Sequence, residues 1–526
     1  MPAGMRDLLL AIDVGTGSVR AALLTAAGET VAFAAEEHEQ IVPQYGWSEQ
    51  RPVDWWTGAV AVIRRVLHAV PGAASRIVAI GACGQMHATV LVDSDGRPAL
   101  DAVPLWNDKR NRAELDRFIA GHPWQDLLPL AGNPPSVAWW GFKLQWLRAH
   151  QPDAYARTRI VLSAKDWINF CLTGAVAIDA PEASCTYLFD VAAGRWSEAL
   201  AERLGIDPAL LPPIREPFEV LAPVSASAAA ETGLAAGIPV VVGMSDYPAA
   251  LLGSGVITPG LASDVTGTST LLTLCTETPV LDPVISNVRG ALPNWSAFTI
   301  LDAGGDAMRW ARRAFHEKNY GYHQIVSLAG SVPAGAGMLL FLPYLNGERL
   351  GSHTNARAQF IGLTSGHGAG HLHRAVMEGV AFAAARNLRI MEAAGNRLDR
   401  MIAAGGGART RLWLEIKASL YGCPILTTKH EECGILGCAM LAGTGVGLYP
   451  DLASAAARLV RFAGEIQPNP AWSDTYARLA PVFEHAYQNS NIYWTMLEAA
   501  ETAASVRHGG RPEREETRAD ELSPQV

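Results

Sequence analysis

The sequence predicts an α/β protein made of two halves of similar construction. Three observations carry that reading. Apolar, β-rich runs alternate with stretches of helical apolar spacing, the pattern of strands and helices packed in layers. The hexapeptide Asp13-Val-Gly-Thr-Gly-Ser18 returns, with one transposition, as Asp264-Val-Thr-Gly-Thr-Ser269, about half the chain later. At roughly 150 residues per domain, a chain of 526 residues is too long for one ordinary domain.

Taken in order, residues 8–13, 19–25 and 30–34 read as three strands joined by Gly15-Thr16-Gly17-Ser18 and Ala27-Gly28-Glu29, an antiparallel meander. Residues 54–70 carry apolar side chains at helical spacing, with Asp54 as N-cap. Residues 77–81 form a buried strand and 89–92 another, closed by Asp95-Gly96. The turn in Ile257-Thr-Pro-Gly260 divides the halves into an N-terminal domain, 1–256, and a C-terminal domain, 257–504. Beyond it come the second hairpin, a helix at 306–315, a strand at 338–342 and a long helix at 372–394. A strand at 401–404 then runs into Gly405-Gly-Gly407 and a helix at 410–421. Residues 505–526 are charged, contain Pro and Gly and have few apolar side chains, so a disordered tail is predicted.

Composition excludes several classes. Forty-two Lys and Arg against 51 Asp and Glu leave a net charge of -9, which argues against a nucleic-acid partner. Seven Cys, an odd number without a CxxC pair, do not make a secreted disulfide framework. The first apolar run is cut by Asp13 and makes a poor signal peptide. No uninterrupted apolar stretch reaches the ~20 residues of a membrane span. The expectation is a cytoplasmic protein with no membrane partner and a small-molecule ligand.

The two Gly/Thr/Ser turns are the first candidates for chemistry. Successive backbone N–H groups in such turns form concave anion sites and the hydroxyls add donors, which suits phosphate oxygens. Two such turns facing each other would hold a polyphosphate from both sides. Asp246 stands just past the strand at 239–242, where an acid either caps the next segment or takes a proton from an attacking hydroxyl. Asp13 has the same strand-end position, and Mg²⁺ held by one or two carboxylates plus phosphate oxygens is natural there. Gln85, Met86 and His87 follow the strand at 77–81 beside small residues, placed to hydrogen-bond a polyol. Trp106-Asn107-Asp108 offers a stacking ring, an amide and a carboxylate, suited to a sugar, although a helix start explains it equally well.

Gly405-Gly-Gly407-Ala-Arg409-Thr-Arg411 allows close approach of a ligand to backbone, but it is neither a Walker A loop nor GxGxxG. The pairs Trp55-Trp56 and Trp139-Trp140 read as packing. His367, His371 and His373 read as a turn entering a helix rather than a zinc site. Cys433 and Cys438 read as small buried hydrophobes.

Together these segments resemble the FGGY family of carbohydrate kinases across roughly residues 7–490, and within it the xylulokinases. The likeness rests on motifs in order: Ile12-Asp-Val-Gly-Thr16, Gly84-Gln-Met-His87, Leu105-Trp-Asn-Asp108, Lys143-Leu-Gln-Trp146 and Asp246 after its strand. Gly267-Thr-Ser269, Phe341-Leu-Pro-Tyr-Leu-Asn-Gly-Glu-Arg349, Gly405-Gly-Gly-Ala-Arg409 and Glu432-Cys-Gly-Ile-Leu-Gly437 complete the set.

The resemblance implies two RNase H-like domains of the actin, Hsp70 and hexokinase type, with an active-site cleft between them. It implies Asp246 as catalytic base, and Gln85, Met86, His87, Trp106, Asn107, Asp108 and Tyr247 on the sugar side. Thr16, Gly17 and Arg20 resemble a first phosphate loop and Thr268 and Ser269 a second. Gly305, Gly407 and Arg411 resemble nucleotide contacts, and Asp13 with Asp246 a magnesium site. The implied ligands are ATP with Mg²⁺ and a sugar, and a homodimer is compatible with the family. The implied reaction is phosphorylation of a primary hydroxyl of a ketopentose, foremost D-xylulose. Ribulose, erythritol or a signalling ketose are alternative acceptors, and an actin- or Hsp70-like ATPase is a distant one. Three positions depart from the family: Tyr247 replaces the usual Asn or Gln, Trp140 a small residue or Pro, and Leu350-Gly351 the usual Thr-Pro.

Overall fold

The N-terminal half is organised around Leu8–Val14 (β1), a run buried along its whole length at the centre of a mixed sheet. A strand without polar alternation must be covered on both faces, and this one is. It pairs antiparallel with Ser18–Thr25 (β2), which pairs antiparallel with Thr30–Glu37 (β3). On its other side β1 runs parallel to Ile77–Gly84 (β4). Val220–Pro223 (β5) and Pro239–Val241 (β6) complete the order β5-β6-β4-β1-β2-β3, and the short Met244–Ser245 (β7) also pairs with β4. The computed structural model that gives this architecture describes residues 7–316, 318–348 and 353–507.

The second sheet repeats the plan. Leu261–Thr266 (β8), Thr270–Thr276 (β9), Ser286–Arg289 (β10), Trp295–Leu301 (β11), Arg400–Ala404 (β12), Ile425–Thr428 (β13) and Phe462–Ile466 (β14) lie in the order β10-β11-β9-β8-β12-β13-β14. β8 pairs antiparallel with β9 and parallel with β12, as β1 does with β2 and β4. β11 takes the place of β3. The repeated hexapeptide therefore falls at the same turn in both sheets, so the similarity of six residues belongs to a whole topology.

Alternate residues of β1 serve two cores. Leu8, Leu10 and Ile12 pack with Pro52–Ala69 (α1) and Ala164–Thr173 (α2), whereas the short helix Ala180–Ser184 (α3) lies against β7 and β10, where Arg289 N donates to Ser184 Oγ. Leu9 and Ala11 pack on the opposite face with Asp246–Ser254 (α4) and a helix from late in the chain. In the second half, Gly305–His316 (α5), Ala369–Ala393 (α6) and Arg411–Tyr421 (α7) build one large core. Cys433–Gly445 (α8) then crosses back to lie against α4 and the first sheet. That crossing is possible because glycines face it. A methyl group on Gly253 would meet the carbonyl of Cys433, and one on Gly437 the carbonyl of Ala249.

Several sequence expectations shift. Helix α1 begins at Pro52 with Arg51 as N-cap, and Asp54 lies in its first turn without capping it. Proline's fixed φ and missing N–H suit the first helical position. The expected strand at 89–92 is Val90–Asp93, which pairs with Thr158–Leu162 outside the main sheet. The strand expected at 338–342 is only Leu340–Leu342, because Gly337 and Met338 both have positive φ and turn the chain. The terminal helix Pro470–Arg507 takes up residues 505–507 of the expected tail, and residues 508–526 lie outside the described ones, as does Leu350-Gly351. Among the described residues no helix is long and apolar enough to cross a membrane.

The helix crossing makes a checkable statement. Gly437→Ala forces a methyl group into a backbone carbonyl and should destabilise the fold by about 2 kcal/mol or more. Gly121→Ala, at the end of Arg112–Gly121 with open space around it, should leave the thermal midpoint unchanged. Melting curves of the two variants compare them directly.

Candidate active site

The parallel strands β1, β4 and β7 end together, and their ends carry the charged candidates. In register, Asp13 on β1 stands beside Arg20 on β2 and Cys83 on β4, and Cys83 stands beside Met244 on β7. Two residues past Met244, Asp246 opens α4. Asp13 is 8% exposed. Its Oδ1 accepts from the Cys83 thiol at 3.3 Å, and its Oδ2 lies 3.6 Å from an Arg20 guanidinium nitrogen. Burial raises the Asp13 carboxyl above its ordinary range, with Arg20 opposing. Asp246 is half-buried and accepts the Tyr247 N–H at 2.7 Å. Burial first, and the Asp13 charge second, push its pKa up to about 7. Two carboxylates this close resist being ionised together.

The first turn is tied to the sugar-side candidates. Thr16 Oγ1 donates to Gln85 Oε1 at 3.2 Å and receives the Trp106 indole N–H at 3.1 Å. Gln85 Nε2 donates to Gln50 Oε1 at 2.8 Å, and Gln50 Nε2 returns to the Thr16 carbonyl at 2.6 Å. The turn is thus closed by side chains and leaves Gly17 unobstructed, with nothing near the place of a Cβ.

His87 lies on the wall beside it. Its ring meets Trp139 edge-on at 4.9 Å, and Lys143 Nζ donates to the carbonyls of His87 and Leu105 at 2.7 and 2.6 Å. Burial, and then the Lys143 charge, hold the imidazole well below its usual pKa and therefore neutral. Burial likewise brings Lys143 down to about 7. His87 Nδ1 and Asn107 Oδ1 are buried without a hydrogen-bond partner, and Met86 packs half-buried nearby. Unsatisfied polar atoms of this kind are where a hydroxylated ligand would be held.

The second turn has its own surroundings. Gly305 N donates to the Gly267 carbonyl at 2.8 Å and Asp306 N to the Thr268 carbonyl at 3.1 Å, so the start of α5 sits on the Gly267–Ser269 turn. Arg309 Nη2 reaches Thr268 Oγ1 at 3.1 Å. A methyl on Gly305 would stand 2.6 Å from the Gly267 carbonyl, and one on Gly407 would stand 2.7 Å from Thr266 Cβ. Thr268, Ser269, Gly305 and Gly407 therefore form one group. Arg20 reaches toward this half from the first turn, with Nη1 on Glu432 Oε2 at 3.0 Å, just before α8.

Three expected residues point elsewhere. The Asp108 carboxylate accepts from Ser48 N and from Arg110 N, Nε and Nη2. Those contacts fill the lone pairs of a fully buried carboxylate, so none is left for a sugar. The Tyr247 hydroxyl is 2.6 Å from Thr273 Oγ1 on β9 and its ring packs against Phe298, which turns it toward the second sheet. Arg411 extends into solvent on Glu415, with 80% of its side chain exposed. Sequence reasoning also missed Glu182, buried between His87 and Ser245, and the ion group of Lys165 with Asp166 and Asp179. Local sequence holds no sign of them, since the partners come from distant segments.

Comparison with known proteins agrees with the geometry. The sequence profile of the FGGY family of carbohydrate kinases matches residues 8–253 with its N-terminal domain and 262–446 with its C-terminal domain. The chain is 28% identical over 494 residues to a xylulose kinase of Staphylococcus epidermidis, covering 92% of this chain and 97% of that protein. It is 32% identical over 483 residues to an autoinducer-2 kinase of Yersinia enterocolitica, covering 88% and 91%. The crystal structure of xylulose kinase from Rhodospirillum rubrum superposes with a TM-score of 0.88 at 29% identity, over 93% of this chain and all of that one.

The saturation of Asp108 gives a second test. Asp108→Ala leaves the nearly buried Arg110 guanidinium with Glu49 alone and should lower stability by about 2–3 kcal/mol. Denaturant unfolding measures that loss, while the KM for the sugar should not move.

Proposed function

The chain belongs to the FGGY family of carbohydrate kinases and is an ATP-dependent sugar phosphotransferase, and on that premise we propose that it phosphorylates a primary hydroxyl of D-xylulose with Asp246 as general base. The single observation that carries the assignment of the base is the raised carboxyl of Asp246 at the strand ends, beside Asp13 and close to the Thr16 turn. A base works best when its pKa lies near the working pH, and burial brings Asp246 there.

Phosphoryl transfer calls for positioning and charge neutralisation more than covalent chemistry. In the proposed arrangement the Thr16 and Thr268 turns hold the phosphate chain, and Arg20 offsets charge between them. The sugar lies against His87, Asn107 and Trp106, with its hydroxyl directed at Asp246. Asp246 takes the hydroxyl proton as the oxygen attacks the terminal phosphorus. Asp13 fits a magnesium ion: it is a hard carboxylate whose side-chain partners among the described residues are a thiol and a guanidinium at 3.6 Å. Bound there with the nucleotide, the ion would supply neutralisation of phosphate charge. Neutral His87 and the carbonyls fixed by Lys143 keep the sugar side rigid.

A second reading, a kinase for another ketose or polyol, is favoured by the autoinducer-2 kinase relative. A coupled ADP-release assay over D-xylulose, ribulose, erythritol and autoinducer-2 separates the two. Greatest kcat/KM on D-xylulose supports the first, and greatest kcat/KM on another acceptor replaces it.

Asp246→Asn and Asp246→Ala should lower kcat by ~10²–10⁴-fold with ATP binding intact. Activity above about 10% of the parent in either variant would refute the assignment. In the parent enzyme, kcat/KM should rise about tenfold per pH unit up to about 7 and level off above it, because the ionised carboxylate is the active form.

A further inference from the structure

Glu182 joins the two loops that carry the candidate sugar and base residues. It lies in the short helix α3, 1% exposed. Its Oε1 accepts the backbone N–H of His87 at 2.7 Å, and its Oε2 accepts the Ser245 hydroxyl at 2.6 Å. Both partners have unusual local conformations. His87 is a non-glycine residue at φ +65, a left-handed conformation that persists only where surroundings hold it. Ser245 is the N-cap of α4, a position where a serine side chain ordinarily accepts from the helix N–H groups, yet it makes no such bond. Its hydroxyl goes to Glu182 instead, and the next residue is Asp246.

Glu182 is itself mounted on a rigid support. Its own N–H donates to Asp179 Oδ1 at 2.9 Å. Asp179 is fully buried and lies 3.0 Å from Lys165 Nζ, which also pairs with Asp166 and donates to the carbonyl of Val242 at 3.0 Å. The carboxylate therefore stands at a fixed distance from three strand ends.

We propose that Glu182 is a positioning residue, a two-ended bridge that sets the His87 wall and the Asp246 carboxylate at one spacing. The spacing fixes how far a sugar held at His87 presents its hydroxyl to Asp246. A bridge acts through geometry, so a carboxamide can replace it: the Gln oxygen accepts from His87 N–H while its NH₂ donates to the Ser245 oxygen. The activity arm of the test rests on the kinase reading, whereas the exchange arm does not.

The experiment compares Glu182→Ala, Glu182→Asp and Glu182→Gln with the parent enzyme. It measures kcat, KM for sugar and ATP, thermal midpoint, and amide hydrogen exchange at residues 85–89 and 245–247. Glu182→Ala should lose roughly ten- to a hundredfold in kcat with the KM for ATP unchanged, and the His87 amide should lose protection. Glu182→Asp, too short to reach both partners, should fall between. Glu182→Gln should return kcat to within about threefold of the parent and restore protection at His87. Unchanged exchange at His87 in the alanine variant overturns the proposal, as does equal damage from Gln and Ala, or a loss of kcat matched by a rise in KM for ATP. If Glu182→Ala does not fold, the Asp and Gln variants decide by the same criteria. If the parent enzyme phosphorylates no sugar, the acceptor assignment fails, and exchange at His87 still decides the bridge.

Discussion

Two carboxylates lie where parallel strands end, Asp13 on β1 and Asp246 just past β7, each strand paired with β4, and the half-buried Arg20 lies beside Asp13. Burial raises both carboxyls, and the Asp13 charge raises the proton affinity of Asp246 further. The rest of the molecule serves to hold that unfavourable pair in place. Main-chain pairing of β1, β4 and β7 sets the backbone positions from which the two side chains start. The nearby polar groups are weak partners: a thiol on Asp13 and a single backbone N–H on Asp246. A site left short of positive charge is one that attracts a cation and a proton donor, which is what a kinase brings to it.

The second copy of the hexapeptide places its acid differently. Asp264 stands one residue farther from its turn than Asp13 does from the first, Lys417 Nζ is 2.7 Å from its Oδ1 and Tyr421 donates to its Oδ2 at 2.8 Å. Lys417 also donates to Thr266 Oγ1 at 2.6 Å, so the cation that neutralises Asp264 also stiffens the strand leading into the second turn. The repeated hexapeptide thus supports two surroundings for its acid, a loosely partnered carboxyl at Asp13 and a closed ion pair at Asp264. Helix α8 follows β13 of the second sheet in the chain but packs glycine-to-backbone on α4 and β4 of the first half, with Glu432 just before it on Arg20.

Much of this was legible from the sequence because it rests on local signals. The strand–turn–strand pattern around Thr16 and Thr268, the long helix at 369–393 and the buried strand before Asp246 follow from periodicity and turn residues, and the ordered motifs added the family. Asp108 and Tyr247 have chemistry that suits a sugar, yet the structure gives them protein partners: Asp108 takes Arg110 two residues on and Ser48 60 residues away, and Tyr247 takes Thr273 26 residues away. Asp54 has the chemistry of a cap, but Pro52 starts the helix two residues earlier. Glu182 carried no signal, since its meaning lies in a fold that brings residues 87 and 245 to its two oxygens. Long-range satisfaction of polar groups is the part of a site that a linear reading does not reach.

The electrostatics also set where stability must come from. Asp246 binds its proton more tightly folded than unfolded, with a folded pKa of about 7 against an ordinary 3.8. Its contribution favours the fold below the ordinary carboxylate range and is lost as pH rises through about 7. The ionised form that would act as base is therefore the form the fold tolerates least. Lys165 behaves in the opposite sense. Although burial disfavours its charge, Asp166 and Asp179 hold its pKa above the ordinary lysine value, so its ion pairs persist through neutral pH. That buried group lies directly behind Glu182 and the strand before Asp246, through the Val242 carbonyl. The charge-paired cluster thus anchors the strand before Asp246 through Val242, at a pH where the Asp246 carboxyl would be ionised.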